Sequence, residues 1–403
     1  MAAIPKCTCF FIMLVALGIN GFVILGRRGQ PNSNANTQPE DPYRVMADLV
    51  LPHGYPLTEH FVVTTDGYIL RLFRLGPKPS QHSSSSSAST PAITSSSPGQ
   101  SQQSGEQPPH PHLLPGAAAT ADVCSRPVVF LQHPLMGSSV DYVVLGPGRS
   151  LGFMLVDAGY DVWLTNVRGN RFSRNHTRLD PDSPADVAAF WAFSWDQHVA
   201  LDLPAAVERV AAHTGCQRMM FVGYSQGTTI GLAALATQPR VASRVAAAVL
   251  LAPVAFVTHM NSAPFRLMAL VRVEKLFNWL GLHEYAAHVP WFADKAARFC
   301  TRCPRLCAAY LFLLCGANPR GGNLDPGVVP AIMHYLPSGT SVQNMAHWGQ
   351  LVRSANRTRL SYYDYGTECG NETAAGALTT PAGRETRYTA QPLDACFRFR
   401  THH

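Results

Sequence analysis

The sequence predicts an α/β protein: a mostly parallel sheet with helices on both faces and a helical cap seated on it. Three observations lead there. Short apolar runs, such as Val128–Leu131, Met219–Val222 and Val245–Leu251, alternate with stretches of helical spacing. Runs of that kind are what strands covered on both faces of a parallel sheet require. One of them leads straight into Gly223-Tyr224-Ser225-Gln226-Gly227 and a small-residue helix. From Pro253 to about Arg353 the pattern becomes mostly helical, with aromatics placed as if exposed, which suits a cap.

Composition narrows the function classes. The chain has 403 residues, 14% charged and 46% hydrophobic, a balance that excludes a wholly disordered chain, a coiled coil or a collagen-like fibre. The net charge of +7 is scattered, and no Lys/Arg run exceeds two residues, so nucleic acid is not an expected partner.

Residues 1–28 hold an apolar stretch, Cys7–Gly26, with Lys6 before it and Arg27-Arg28 after it. It reads as a secretory signal peptide or an uncleaved membrane anchor. The sequons at Asn175, Asn356 and Asn371 favour the secretory pathway as glycosylation candidates. Residues 29–44 are polar and read as a linker. Phe61–Phe73 reads as a β-hairpin around Asp66-Gly67. Residues 77–125, with consecutive serines at Ser83–Ser87, lack the apolar side chains needed to offset ordering and read as a disordered insertion within a core of residues 45–253. Beyond it follow the strand Val128–Leu131, a helix Leu151–Ala158 ended by Gly159, and the strand Tyr160–Leu164. A helix near Val199–Ala212, the strand Met219–Val222, a helix Thr228–Ala236 and the strand Val245–Leu251 complete the core. Residues 254–365 form the cap, and 366–403 a Gly- and Thr-rich tail.

Strand, G-x-S-x-G and helix together make a nucleophile elbow, with Ser225 as the nucleophile. Gly223 and Gly227 answer to the tight turn, where a Cβ would clash. The helix N-terminus turns its free amides and dipole toward a developing oxyanion. A plain strand-to-helix turn with a buried serine is the bland rival. A second oxyanion donor must come from the loop after an earlier strand; Gln132–Gly137 is such a loop, and the Leu135 amide pairs with that of Gln226. Among the ten cysteines, Cys300, Cys303, Cys307 and Cys315 cluster. Without a second ligand pair, a local disulfide outweighs a metal site, with buried thiols the remaining option.

At this point the chain resembles the acid lipase family, the gastric and lysosomal acid lipases with their α/β-hydrolase fold. The resemblance rests on Gly54–His60, Thr65–Leu70, Leu131–His133, Asp161–Asn170, Phe193–Asp196, Asp202–Ala205, Gly223–Thr228 and Gly339–Met345, in order from about Asp41 to Gly366. It implies hydrolysis of neutral lipid esters, triacylglycerols or steryl esters, at a lipid interface and in lipid catabolism, with no metal or organic cofactor. It implies Ser225 as nucleophile, Leu135 and Gln226 as the oxyanion hole, a cap whose lid meets lipid, and a Cys300–Cys307 disulfide, with Cys303 additional. An acidic lumen or secretion is the compartment it suggests.

Two departures stand out. The family's His-Gly-Leu is His133-Pro134-Leu135 here, and proline removes a backbone donor and sets φ. After Tyr363–Gly366 the family continues through two strands carrying the triad Asp and His. This sequence ends at His403 without a matching pair, so the last strands and both triad partners are expected to be missing and the chain as written nearly inactive. His402 and His403 are not expected to substitute, His133 reads as structural, and Asp196, Asp202 and His347 fall outside triad positions. The loss would leave a sheet edge exposed. Two rivals remain: a non-catalytic lipid-binding or interaction protein, and an acyltransferase on the same scaffold.

Overall fold

The computed structural model describes residues 41–79, 124–257, 260, 262–315, 324–354 and 360–365. The apolar leader, most of the linker, the interior of the Ser-rich stretch, Asn356, Asn371 and the tail with His402 and His403 lie outside the described residues. Helix α1, Pro42–Val50, takes the last residues of the stretch read as a linker. Asp41 accepts the Tyr43 amide at 3.0 Å and Pro42 supplies a preset φ, a start signal that polar composition conceals.

Strands β1 (Leu57–Val63) and β2 (Ile69–Leu75) pair antiparallel with Val63 opposite Ile69, the hairpin the Asp66-Gly67 turn predicts. β3 (Val128–Gln132), β4 (Asp161–Leu164), β5 (Met219–Tyr224) and β6 (Val245–Leu251) add four parallel strands, and the spatial order is β1-β2-β4-β3-β5-β6. Alternation along β3 explains its uninterrupted apolar run. Val128 and Phe130 face one layer, with α3 (Leu203–Thr214) and α4 (Gln226–Thr237). Val129 and Leu131 face the other, with α1 and α2 (Leu151–Asp157). A disulfide joins Cys124 to Cys216, whose sequence separation is 92, and ties the end of the Ser-rich stretch to the loop before β5.

The sheet edge expected to be exposed lies at β6. Its partner is β5 alone, and Ala246, Ala247, Ala248 and Val249 are exposed, an apolar edge among the described residues. Above the sheet, the cap carries α6 (Ala263–Leu270), α7 (Val273–Trp279), α8 (Pro290–Arg302), α9 (Pro304–Cys315), α10 (Val329–Tyr335) and α11 (Val342–Arg353), following the short α5 (Pro239–Arg244) of the core. Cys300 and Cys307 form a disulfide between α8 and α9, and Cys315 is free and exposed.

Two buried polar clusters brace the core. Arg168, fully buried after β4, donates to Asp66 in the hairpin turn at 2.5 Å and to Asp202 at 2.7 Å, with its guanidinium 3.9 Å from the centre of the Tyr68 ring. Burial raises the Asp66 pKa, but the Arg168 charge reverses this and holds it below the ordinary value. At Asp202 burial prevails and the pKa is raised. The second cluster joins α11 to the segment before α3. His347 donates from Nε2 to the Ser361 carbonyl (2.7 Å), takes the Ser194 hydroxyl at Nδ1 (3.1 Å) and stacks on Trp195. Asp196 accepts the Tyr363 amide at 2.8 Å, and its Nδ1 neighbour on His347 is 3.9 Å away.

Burial pushes Asp196 up from 3.8 to about 7 and His347 down from 6.5 to about 3. The folded chain therefore keeps the Asp196 proton through a window in which the unfolded chain has released it. That contribution to stability is full below pH 3.8 and is lost as pH rises toward 7. Asp196→Asn removes it. In urea titrations the variant should gain on the parent as pH rises from about 4 to about 7, by on the order of 2–4 kcal/mol at the upper end. A difference that does not change with pH would contradict the assignment.

Candidate active site

Ser225 stands between β5 and α4 at φ 52° and ψ −116°, a left-handed φ that side chains rarely adopt. Three bonds hold it there. Its amide donates to the Leu251 carbonyl at 3.0 Å, and its own carbonyl accepts the Thr228 amide (2.8 Å) and hydroxyl (2.6 Å). The glycines follow from close approach. A Cβ on Gly223 would come within 2.7 Å of the Gly227 carbonyl group, and one on Gly227 would lie 2.3 Å from the Gln132 carbonyl oxygen. Thus α4 starts directly against the end of β3, and the serine is turned out of the strand toward the cap.

The loop after β3 completes the setting. Leu135, Ser225 and Gln226 line one cavity of about 160 Å³, shared with Phe265, Met268, Val273, Phe277, Tyr285 and Trp348 of the cap. Glu274 is its one charged lining residue, paired with Arg353 at 3.2 Å. Such a lining suits a hydrocarbon chain lying against a single hydroxyl. Neither the Leu135 nor the Gln226 amide donates to another group among the described residues, so both remain free for an oxyanion. The Gln226 side chain is clamped, its Oε1 accepting Trp348 Nε1 (2.7 Å) and Asn344 Nδ2 (3.1 Å). Sequence reading missed this clamp; its only trace was the matched run through Asn344.

Pro134 does not disorganise the loop. His133 donates from Nδ1 to the Pro134 carbonyl (2.8 Å), which also accepts the Gly137 amide (3.0 Å). His133 Nε2 accepts the Val167 amide at 3.1 Å, with Asn170 Nδ2 at 3.2 Å. Burial lowers its pKa to about 4, so it is a neutral brace for the loop after β3. His347, engaged at both nitrogens, is equally unable to take a proton from Ser225, and Asp202 is committed to Arg168. Among the described residues no imidazole or carboxylate bonds to the Ser225 hydroxyl, and no group of side chains there is arranged to hold a metal ion. Asn175 is exposed and accepts the His176 amide at 2.8 Å.

Comparison with known proteins is consistent with this geometry. A partial α/β-hydrolase lipase region matches residues 46–146, and an alpha/beta hydrolase fold matches residues 127–312. The chain is 35% identical to lipase member K of Mus musculus over 86% of its own length and 75% of that protein. It is 32% identical to the gastric triacylglycerol lipase of Rattus norvegicus, covering 89% of this chain and 77% of that one. The chain belongs to the acid lipase family of α/β-hydrolases. In this acid lipase chain, the matched lipase region runs from α1 through the loop after β3, and the hydrolase match covers the turn at Ser225.

The elbow makes opposite demands at neighbouring positions. Ser225→Gly relieves the positive φ and should raise stability by about 1 kcal/mol. Gly227→Ala forces β3 and α4 apart and should lower it by roughly 2–3 kcal/mol. Thermal unfolding of the two variants reads both signs; a loss for Ser225→Gly would show that the serine is unstrained.

Proposed function

We propose that this acid lipase hydrolyses neutral lipid esters, triacylglycerols or steryl esters, by acylating Ser225. The observation that carries the reading is the strained serine opening onto an apolar cavity between two uncommitted amides. Ser225 Oγ attacks the ester carbonyl as a base takes its proton. The Leu135 and Gln226 amides stabilise the tetrahedral oxyanion, and the alcohol leaves with a proton. Water then attacks the acyl-serine, releasing the fatty acid and restoring the hydroxyl. The geometry supports the acyl chain lying among Phe265, Met268 and Phe277.

Neither His133 nor His347 supplies the base, and the family resemblance supports a base downstream of Gly366. We place the protein in the secretory pathway, supported by the Cys124–Cys216 and Cys300–Cys307 disulfides. No helix among the described residues is long and apolar enough to cross a membrane.

The test supplies the base from solution. With a short-chain p-nitrophenyl ester, added imidazole should raise hydrolysis by the 403-residue chain roughly tenfold above Ser225→Ala, a fraction of the enhancement, on the order of 10²–10⁴, that a positioned base contributes. Equal imidazole responses in the two proteins would instead favour a lipid-binding role for the cavity.

A further inference from the structure

A second cavity adjoins the Ser225 cavity, and its chemistry is different. Its volume is about 280 Å³, against about 160 Å³ for the first, and Val342 at the start of α11 lines both. Ala188 and Ala192, small residues in and just after the one-turn helix Val187–Phe190, leave the space open. Trp191, Tyr363 and Tyr365 supply aromatic walls, and the two tyrosine rings meet nearly at right angles (89°) with centres 5.0 Å apart. Gln197 Nε2 donates to the Tyr365 hydroxyl at 3.0 Å, and the Tyr363 ring packs edge-on against His347, so the core fixes both rings.

The polar lining consists of Asn278, His283, Gln343 and Asp364. Burial lowers the His283 pKa, so its imidazole is neutral at pH 7. No lysine or arginine among the described residues lines the cavity. Gln343 Nε2 is shut off from solvent and has no hydrogen-bond partner among the described residues. A buried donor in that state is costly, so the cavity calls for an acceptor there.

These features sort the candidate ligands. A phosphate or carboxylate would find no cation to pair with. A hydrocarbon chain would leave Gln343 unsatisfied, and a quaternary ammonium would use the rings but not the amides. A sugar ring uses both. Its C–H face lies on an aromatic ring, while its hydroxyls, each a donor and an acceptor, meet amide, imidazole and carboxylate. The volume lies just below the roughly 300–1,000 Å³ usual for ligand sites, which suits a single ring.

We infer that this second cavity binds a neutral hexose ring, packed against Tyr363 and Tyr365 and hydrogen-bonded to Gln343. A free sugar and the sugar headgroup of a lipid share this chemistry. The site goes beyond the lipid-ester reading and does not depend on Ser225.

The test uses the full chain carrying Ser225→Ala, so that no turnover is involved and a failure of the nucleophile assignment leaves the measurement intact. Calorimetric titration with methyl glucoside, methyl galactoside and methyl mannoside should give at least one Kd of about 1 mM, the range open to a ligand of roughly a dozen non-hydrogen atoms. Gln343→Met should weaken that binding roughly tenfold. Ala192→Leu, which narrows the cavity without removing a polar group, should abolish it. Both positions are partly exposed, and unchanged thermal midpoints confirm folding. The octyl glycoside of the same sugar then separates the sources. Equal affinity assigns the site to a free sugar, and a gain that Gln343→Met still weakens assigns it to a lipid-linked one; both uphold the site. No glycoside binding at millimolar concentration, or binding that both variants leave unchanged, would overturn the inference. So would displacement of the glycoside by equal inorganic phosphate or tetramethylammonium.

Discussion

The contact between the start of α4 and the end of β3 is the constraint on which the rest of the site depends. At Gly227 a single added carbon would sit 2.3 Å from the Gln132 carbonyl oxygen, so helix and strand are as close as backbones can come. That closeness leaves the chain no relaxed path from β5 into α4, and Ser225 absorbs the turn at φ 52°. It also brings the Gln226 amide beside the loop that follows Gln132, where Leu135 lies. One steric fact thus sets the turn at Ser225 and brings all three residues to the wall of one cavity.

Around that contact, buried polar groups hold neighbouring elements in register. His133 spends both ring nitrogens on holding the loop after β3 in place, which is how the loop tolerates proline at 134. Arg168 ties the β1–β2 turn to the segment entering α3, and its two carboxylate partners keep it charged despite complete burial. The Asp196 and His347 cluster joins α11 to the core, and α11 in turn delivers Trp348 and Asn344 to Gln226. The titrations in that cluster oppose each other. Asp196 favours folding at acid pH, whereas His347 must be neutral when folded and therefore contributes as pH rises from about 3 toward 6.5.

Much of this was legible in the residues themselves. Val128–Leu131 and Met219–Val222 read as buried strands because both faces are covered, and the elbow read as such because a strand, a G-x-S-x-G turn and a small-residue helix adjoin. The same logic places β6 at Val245–Leu251, where the structure has it; Ala246–Val249 are exposed, because apolar content reports suitability for burial and not the presence of a covering layer, and an open sheet edge is what the sequence analysis expects. The start of α1 was hidden because an Asp-Pro cap looks like linker composition. The Gln226 clamp and the Cys124–Cys216 pair were illegible for a different reason. Both join residues about a hundred positions apart, and no local pattern encodes which distant partner a side chain will meet.

The apolar cavity and the strained serine are what support Ser225 as a nucleophile toward lipid esters. The most direct measurement is the reaction of the intact chain with a p-nitrophenyl alkylphosphonate, followed by peptide mapping of the adduct by mass spectrometry. The account predicts phosphonylation at Ser225 in preference to every other serine, with longer alkyl chains reacting faster as they fill the cavity. Adducts scattered over the exposed serines, with Ser225 unmodified, would contradict it.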